Sequence, residues 1–95
     1  MKVRLDPAAR EELHGARLWY EEQSPLSAAA FIQEVDTTVS RIGEAPLLYP
    51  LAEHGTRRAI LRRFPFNVFY RVGGDEIVIV AVAHQKRRPL YWSGR

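Results

Sequence analysis

Ile77-Val78-Ile79-Val80-Ala81-Val82-Ala83 is an unbroken apolar run, and it leads directly into His84-Gln85-Lys86-Arg87-Arg88-Pro89 and then Tyr91-Trp92. An apolar run this short is typical of a buried strand rather than of a helix. The cationic and aromatic residues that follow it would therefore lie together on the rim of a sheet. A rim of this composition is suited to binding an anionic partner.

Two helices are predicted upstream of this strand. Asp6 and Pro7 form a start signal, because a carboxylate at the N-cap accepts a main-chain hydrogen bond and proline is tolerated at the first helical position. Ser24 and Pro25 end this helix and cap the next one, which Gly43 is placed to terminate. The apolar positions of the first helix are Ala9, Leu13, Ala16 and Tyr20, with Trp19 beside them, and those of the second are Ala28, Phe31, Ile32, Val35, Val39 and Ile42.

Shared apolar faces predict that the two helices form an antiparallel hairpin. We expect Trp19 and Tyr20 to belong to the core of this hairpin. The segment of residues 46–56 is predicted to be a loop in which Leu47, Leu48, Tyr49 and Leu51 pack back against the helices.

Four strands complete the predicted fold, over residues 2–5, 57–63, 66–72 and 77–83. Pro65 marks a bend or a sheet edge between the second and third strands, and Gly73-Gly74-Asp75 supplies a hairpin turn before the last. The order β-α-α-β-β-β indicates an α+β fold in which the helical hairpin packs on one face of a small sheet, completed by a three-stranded antiparallel meander. Residues 1–95 are expected to form a single domain.

The second face of this sheet, away from the helices, is predicted to be apolar as well. Residues 77–83 are apolar at every position, and Phe69 points opposite to Val68 and Tyr70. A helical hairpin covers only one face, so the other is open to a partner or is covered by the chain itself. The candidates within the chain are the loop of residues 46–56 and the tail Leu90-Tyr91-Trp92.

Charge is divided unequally along the chain. Up to Gly55, five basic residues stand against nine acidic ones, a net charge of −4, whereas from Thr56 onward nine stand against two, a net charge of +7. This asymmetry indicates an anionic partner for the second half, either nucleic acid or an acidic protein segment. The alternative is that a strand-rich half carries its arginines as a solvated face.

Composition excludes several classes of protein. With 46% hydrophobic and 26% charged residues the chain is typical of globular proteins, and no segment is apolar and long enough to suggest a signal peptide or a membrane span. We therefore expect a cytoplasmic protein. There is no cysteine, and His14, His54 and His84 are scattered, so we predict neither a metal site nor a cofactor.

The residues predicted to bind a partner or target are Arg58, Arg62, Phe69, Lys86, Arg87, Arg88, Tyr91 and Trp92. The basic members would form one rim if their strands share a sheet, and the aromatic residues after the last strand would act as anchors. His84 has two interpretations. It is either a proton carrier beside Arg87 and Tyr91 or a strand-end histidine whose ring is hydrogen-bonded to a main-chain carbonyl.

The order of elements and a series of short motifs resemble the RelE/ParE superfamily of toxins from type II toxin-antitoxin systems, over nearly the whole chain. The motifs are Trp19-Tyr20-Glu21, Phe31-Ile32-Gln33-Glu34-Val35, Arg63-Phe64-Pro65-Phe66, Val68-Phe69-Tyr70, Ala81-Val82-Ala83-His84 and Arg87-Arg88-Pro89 with Tyr91-Trp92. The resemblance implies a growth-inhibiting bacterial toxin that forms a hetero-oligomer with its antitoxin. The antitoxin's disordered, acidic C-terminal segment would wrap the toxin, and DNA would be bound only through the antitoxin.

The superfamily divides by target. Members like RelE are ribosome-dependent mRNA endoribonucleases, for which the resemblance would assign catalytic roles to Arg58, His84, Arg87 and Tyr91. This chain departs from that pattern, because Ile60, Asn67 and Gln85 stand where basic residues are expected.

Members like ParE poison DNA gyrase and have no catalytic constellation of their own. The Arg63-Phe64-Pro65-Phe66 bend and the tail resemble this branch, which makes a gyrase poison the favoured hypothesis and an enzyme the alternative. A third hypothesis is that the protein has this fold but is not toxic and acts as a basic nucleic-acid-binding module.

Overall fold

A computed structural model describes residues 1–95 and confirms the α+β architecture. The elements are β1 (Lys2–Leu5), α1 (Pro7–Gln23), α2 (Pro25–Glu44), β2 (Arg57–Ile60), β3 (Phe66–Gly73) and β4 (Glu76–His84), with a short 3-10 turn at Glu53–Gly55. They build one four-stranded sheet in the order β1-β4-β3-β2. β1 runs parallel to β4, and the other neighbours are antiparallel. No helix is both long and apolar enough to span a bilayer.

The predicted helix caps are present. Asp6 Oδ1 accepts a hydrogen bond from the Ala8 amide at 2.9 Å, and Ser24 Oγ accepts one from the Ser27 amide at 3.4 Å. Gly43 does not end α2, which continues to Glu44. A Cβ atom at Gly43 would lie 3.4 Å from both the Met1 oxygen and Val3 Cγ2, so the glycine instead permits the close approach of β1.

β2 is shorter than predicted because a carboxylate on α2 redirects the chain. Glu34 accepts hydrogen bonds from the main-chain amides of Arg62 and Arg63, at 2.5 and 3.2 Å. The Leu61 amide closes the bend by donating to the Phe66 oxygen at 3.0 Å. The strand therefore ends at Ile60, and residues 61–65 form a loop fixed to the helical layer.

The main core lies between the helical hairpin and the sheet. Its largest members are Phe31, Ile42, Val68, Tyr70, Ile77 and Ile79. Tyr20 packs against this core, with its ring centroid 5.0 Å from that of Phe31 and 5.1 Å from that of Phe64. Trp19 does not, and its prediction as a core residue is wrong: it lies about 100° around the helix from Tyr20 and is 57% exposed.

Hydrogen bonds from side chains of the sheet to main-chain oxygens of the loop, rather than the leucine side chains, attach the loop of residues 46–56. The Arg57 guanidinium donates to the Leu47 and Tyr49 oxygens, at 3.1 and 2.7 Å, and the Tyr70 hydroxyl donates to the Pro46 oxygen. Tyr49 packs against the main core. The side chains of Leu47, Leu48 and Leu51 are exposed, contrary to the expectation that they pack against the helices.

A bulge in β4 supplies the second face of the sheet with its own apolar cluster. Phe69 pairs with Ala81 but Tyr70 pairs with Ile79, which leaves Val80 as an extra residue. The resulting cluster contains Phe69, Val80, Ala81, Ala83 and Trp92. Trp92 is 2% exposed, and its ring centroid lies 4.5 Å from that of Phe69. Of the two covers considered within the chain, the tail is thus the main one.

Candidate functional site

A basic hollow of about 290 Å³ opens where the tail crosses the second face of the sheet. β2 contributes Arg58, β3 contributes Asn67 and Phe69, and β4 contributes Ala83 and His84. The remaining lining comes from the loops and the tail: Glu53, Gln85, Arg87, Arg88, Pro89, Leu90, Tyr91 and Trp92. We call this site the basic hollow.

The guanidinium groups of the basic hollow form no ion pair within the chain, although the Glu53 carboxylate also lines the hollow. The ion pairs of the molecule join Arg4 to Glu76, Arg63 to Glu34 and Arg95 to Glu12, so Arg58, Arg87 and Arg88 take part in none of them. Three unpaired positive charges around one concave surface attract an anion. The structure places Arg58, Arg87 and Arg88 around one hollow, and their binding of a partner stays a prediction.

Arg62 and Lys86 are placed differently from the predicted single rim. Arg62 follows the end of β2 and borders another depression with Glu34, Arg41 and Tyr49, next to α2. Lys86 lies in the turn after β4, exposed and beside the hollow rather than in its lining. Arg62 lies apart from the basic hollow because its main-chain amide is bonded to Glu34, which bends the chain after Ile60. The alternation of side chains along β2 does not predict this bend.

The two aromatic residues Phe69 and Trp92 form the floor of the hollow. Because their rings are packed together and buried, they shape the surface from beneath. Their predicted contact with a partner stays a prediction. Tyr91 is partly exposed, and its ring carries the Arg87 guanidinium at 4.0 Å from the ring centroid. This cation–π contact fixes the position of Arg87 at the edge of the hollow.

A carboxylate on α1 anchors the tail. Glu12 Oε2 accepts hydrogen bonds from the Tyr91 hydroxyl at 2.5 Å and from Arg95 Nη2 at 3.1 Å. Glu12 Oε1 accepts from Arg95 Nη1 at 2.9 Å and from the Val82 amide at 3.0 Å. Arg95 Nη1 also donates to the Val80 oxygen at 3.1 Å. β1 pairs with β4 only as far as Ile79. Beyond that residue, the side chains of Glu12 and Arg95 make the hydrogen bonds to the main chain of β4 that a neighbouring strand would otherwise make.

This anchor raises the pKa of the Tyr91 phenol. Burial raises the pKa of the Tyr91 phenol above its ordinary value, and the hydrogen bond to Glu12 and the negative charge of Glu12 raise it further. Arg87 and Arg95 act in the opposite direction but do not outweigh these effects. Tyr91 therefore donates its hydroxyl hydrogen to Glu12, and its predicted catalytic role stays a prediction.

The uncharged polar side chains of Asn67 and Gln85 in the basic hollow are hydrogen-bonded to each other. Gln85 Nε2 donates to Asn67 Oδ1 at 3.3 Å, so two positions where basic residues are expected in the ribonucleases form an amide pair. His84 Nδ1 accepts a hydrogen bond from the Lys86 amide at 3.0 Å, and its ring packs edge-on against Phe66. His84 is thus a strand-end histidine bonded to the main chain, although to an amide rather than to a carbonyl.

Sequence reasoning missed Glu12 and Arg95. The two residues are separated by 83 positions, and neither belongs to a motif. Glu12 borders the apolar stripe of α1, three residues after Ala9 and four before Ala16, and an acidic residue in that position is a weak signal that could have drawn attention to it.

Comparison with known proteins gives a consistent assignment. Residues 3–89 match the family described as the ParE toxin of the type II toxin-antitoxin system, parDE. No curated protein sequence matches the chain. Among solved structures, a chain of the chromosomal ParDE TA system from P. aeruginosa is similar, with a TM-score of 0.77 and 24% identity over 88% of this chain and 95% of that chain. That likeness supports the fold, and the family match extends over most of the sequence. The chain belongs to the ParE toxin family of type II toxin-antitoxin systems.

Proposed function

We propose that this protein arrests bacterial growth by poisoning DNA gyrase and is neutralised when a cognate antitoxin binds it. One observation carries the choice of target: the Asn67–Gln85 amide pair occupies the part of the basic hollow where RNA cleavage would need cations. Family membership supplies the toxin-antitoxin class. The target and the mode of neutralisation are the proposal.

RNA cleavage by a ribose 2′-hydroxyl needs a base for the hydroxyl proton, cations for the charged phosphorane and an acid for the leaving oxygen. Tyr91 cannot supply the base, because its raised pKa and its bond to Glu12 keep it protonated. His84 uses Nδ1 to accept the Lys86 amide. Each missing cation would cost about 3 kcal/mol of transition-state stabilisation. These features favour a protein that acts by binding.

Binding of an antitoxin is supported by the charge of the basic hollow. Its three unpaired arginines match the acidic, disordered C-terminal segment expected of the partner. The complex would be a hetero-oligomer in the cytoplasm, and DNA would be bound through the antitoxin. No step of this function requires a metal or a cofactor.

Mild induced expression followed by pulse labelling tests the target. A gyrase poison stops DNA synthesis and induces DNA-damage signalling before translation falls. Early loss of translation with intact DNA synthesis would identify a ribonuclease and overturn the proposal. Normal growth with both processes intact would indicate the simple nucleic-acid-binding module, whose affinity should fall steeply with salt.

Neutralisation is tested by co-expressing the polypeptide encoded by the reading frame adjacent to the gene. We expect growth to be restored and the two chains to be purified together. Growth arrest that persists with that polypeptide present would contradict the antitoxin part of the proposal.

A further inference from the structure

The loop of residues 46–56 presents three leucines to the surface. Leu47, Leu48 and Leu51 are 67, 77 and 73% exposed, although only three positions separate the first from the last. A single exposed leucine is ordinary, whereas several on one short loop make an apolar surface that is typical of a contact site. We call these three residues the leucine patch.

The main chain that carries the leucine patch is fixed to the sheet. The Arg57 guanidinium donates to the Leu47 and Tyr49 oxygens, and the Arg58 amide donates to the Pro50 oxygen at 3.0 Å. The ring of Pro50 restricts the loop further. A surface whose main chain is already ordered loses little conformational entropy when it binds, so the leucine patch is preorganised for contact.

Unpaired positive charge adjoins the leucine patch. Tyr49 lies in the same loop and, together with the 57% exposed Ile60, lines a depression of about 610 Å³ beside α2. Arg41 and Arg62 line this depression too, and neither takes part in an ion pair. The apolar surface is therefore bordered by two cations that are available to a partner. This depression and the basic hollow share no lining residue.

We propose that the leucine patch docks in an apolar cleft of the target protein, and that carboxylates at the rim of that cleft pair with Arg41 and Arg62. An apolar centre with charged groups around it is the usual arrangement of a protein interface. The target is DNA gyrase, so this inference rests on the proposed function. It assigns target binding to a surface separate from the basic hollow.

A second copy of this chain fits the leucine patch less well. In a twofold dimer a surface meets itself, so Arg41 and Arg62 of the two copies would approach each other. Glu34 is the one carboxylate that lines the depression, and its oxygens already bind Arg63 and the Arg62 amide. Like charges that face each other across an interface weaken it, so the charges favour a different, acidic partner.

An anionic membrane surface also fits less well. Glu44 is the last residue of α2, just before the loop, and Glu53 begins the 3-10 turn after the leucine patch. The patch is thus flanked by carboxylates along the chain, which an anionic lipid surface would repel. A protein cleft can place its own carboxylates opposite Arg41 and Arg62 alone.

A double variant of the leucine patch tests the inference through gyrase inhibition. We expect Leu47→Ser combined with Leu48→Ser to raise the concentration of chain that halves supercoiling by about tenfold or more, as is usual for side chains at the centre of an interface. Leu26→Ser is the matched control, since Leu26 is 82% exposed but lies at the start of α2, and it should change that concentration less than about twofold. Because these leucines are exposed, the thermal midpoints of both variants should stay within about 4 °C of wild type.

The charged border of the patch is tested by the rate of association with immobilised gyrase. Arg62→Glu should lower this rate about threefold or more, because charges at an interface rim act mainly on association. Arg10→Glu, the same change at an exposed position of α1, should leave it unaltered. Equal rates for the two variants would contradict the pairing of Arg62 with the target.

The outcomes separate this inference from the function on which it rests. Wild type that fails to inhibit gyrase at any concentration defeats the proposed function and the inference together. Wild type that inhibits, with the double variant equally potent, overturns the inference alone. We expect the double variant to keep its affinity for the polypeptide encoded next to the gene, and loss of that affinity would show that the surfaces are not separate.

Two further measurements identify the other occupants. Self-association of wild type in analytical ultracentrifugation that the double variant loses, with gyrase inhibition unchanged, would assign the leucine patch to a second copy. Sedimentation of wild type with phosphatidylglycerol vesicles that the double variant loses, again with gyrase inhibition unchanged, would assign it to a membrane. Either result contradicts the proposal.

Discussion

Among single residues, Glu12 stands out because it connects α1 both to β4 and to the tail. Its carboxylate joins α1 to the Val82 amide of β4 and to Tyr91 and Arg95 of the tail. Through the Tyr91 ring it also determines where Arg87 stands at the edge of the basic hollow. The residue therefore supports both the fold and the shape of the candidate site.

Glu12→Gln should lower the free energy of unfolding by about 2 kcal/mol. The substitution leaves the partly buried Arg95 without its charge partner and weakens the bonds to Tyr91 and Val82. Denaturant titration measures the effect, and Glu11→Gln, on the exposed side of α1, is the control. Equal stability of the two variants would show that the anchor contributes little.

The raised pKa of Tyr91 predicts a dependence of stability on pH. A phenol that is harder to ionise in the folded state stabilises the fold below its unfolded pKa, which lies near 10.0, and this contribution is lost as the pH rises above that value. Tyr20 and Tyr70 act in the same direction because burial raises their pKa values too. Tyr91→Phe should make the loss of stability above about pH 10 less steep, as measured by urea unfolding at several pH values. An unchanged slope would contradict the assignment.

At the scale of elements, what could be predicted from sequence was local. Asp6-Pro7 and Ser24-Pro25 specify helix starts through bonds within a few residues, and both are present. The bulge at Val80 could not be read from residues 77–83, because an unbroken apolar run carries no alternation to reveal a shift in register. The Glu34 bend depends on a contact between residues 28 positions apart.

The candidate site could likewise be predicted only in part. Arg87 and Arg88 follow the last strand, and Arg58 reaches them because β2, β3 and β4 are neighbours in the sheet. Arg62 was misplaced because the Glu34 bend is not visible in the sequence. The prediction that Trp19 belongs to the core is wrong because Trp19 lies next to the buried face of α1 and not on it. How α1 packs on β4 decides which of these neighbouring positions is covered.

The tail is the element that closes the second face, so Trp92→Ala should destabilise the protein strongly. We expect a loss of about 3 to 5 kcal/mol, because a buried ring packed on Phe69 leaves a cavity when it is removed. Trp92→Phe should cost less, since it retains part of the contact. Thermal unfolding followed by circular dichroism measures both, and similar stability of Trp92→Ala and wild type would mean that the tail does not cover the sheet.

At the scale of the whole molecule, charge and apolar surface are distributed around the end of β4. One side holds the basic hollow with its unpaired arginines, and the other holds an apolar depression lined by Trp19, Tyr20 and Phe66. These surfaces support the proposal that this member of the ParE toxin family acts by binding other macromolecules.

Supercoiling of relaxed plasmid by purified DNA gyrase, in the presence of the purified chain, tests the proposed target most directly. We predict inhibition of supercoiling with accumulation of cleaved plasmid, reversed by addition of the antitoxin. Gyrase that works normally at every concentration of the chain, while ribosome-bound mRNA is cut by the same preparation, would contradict the account.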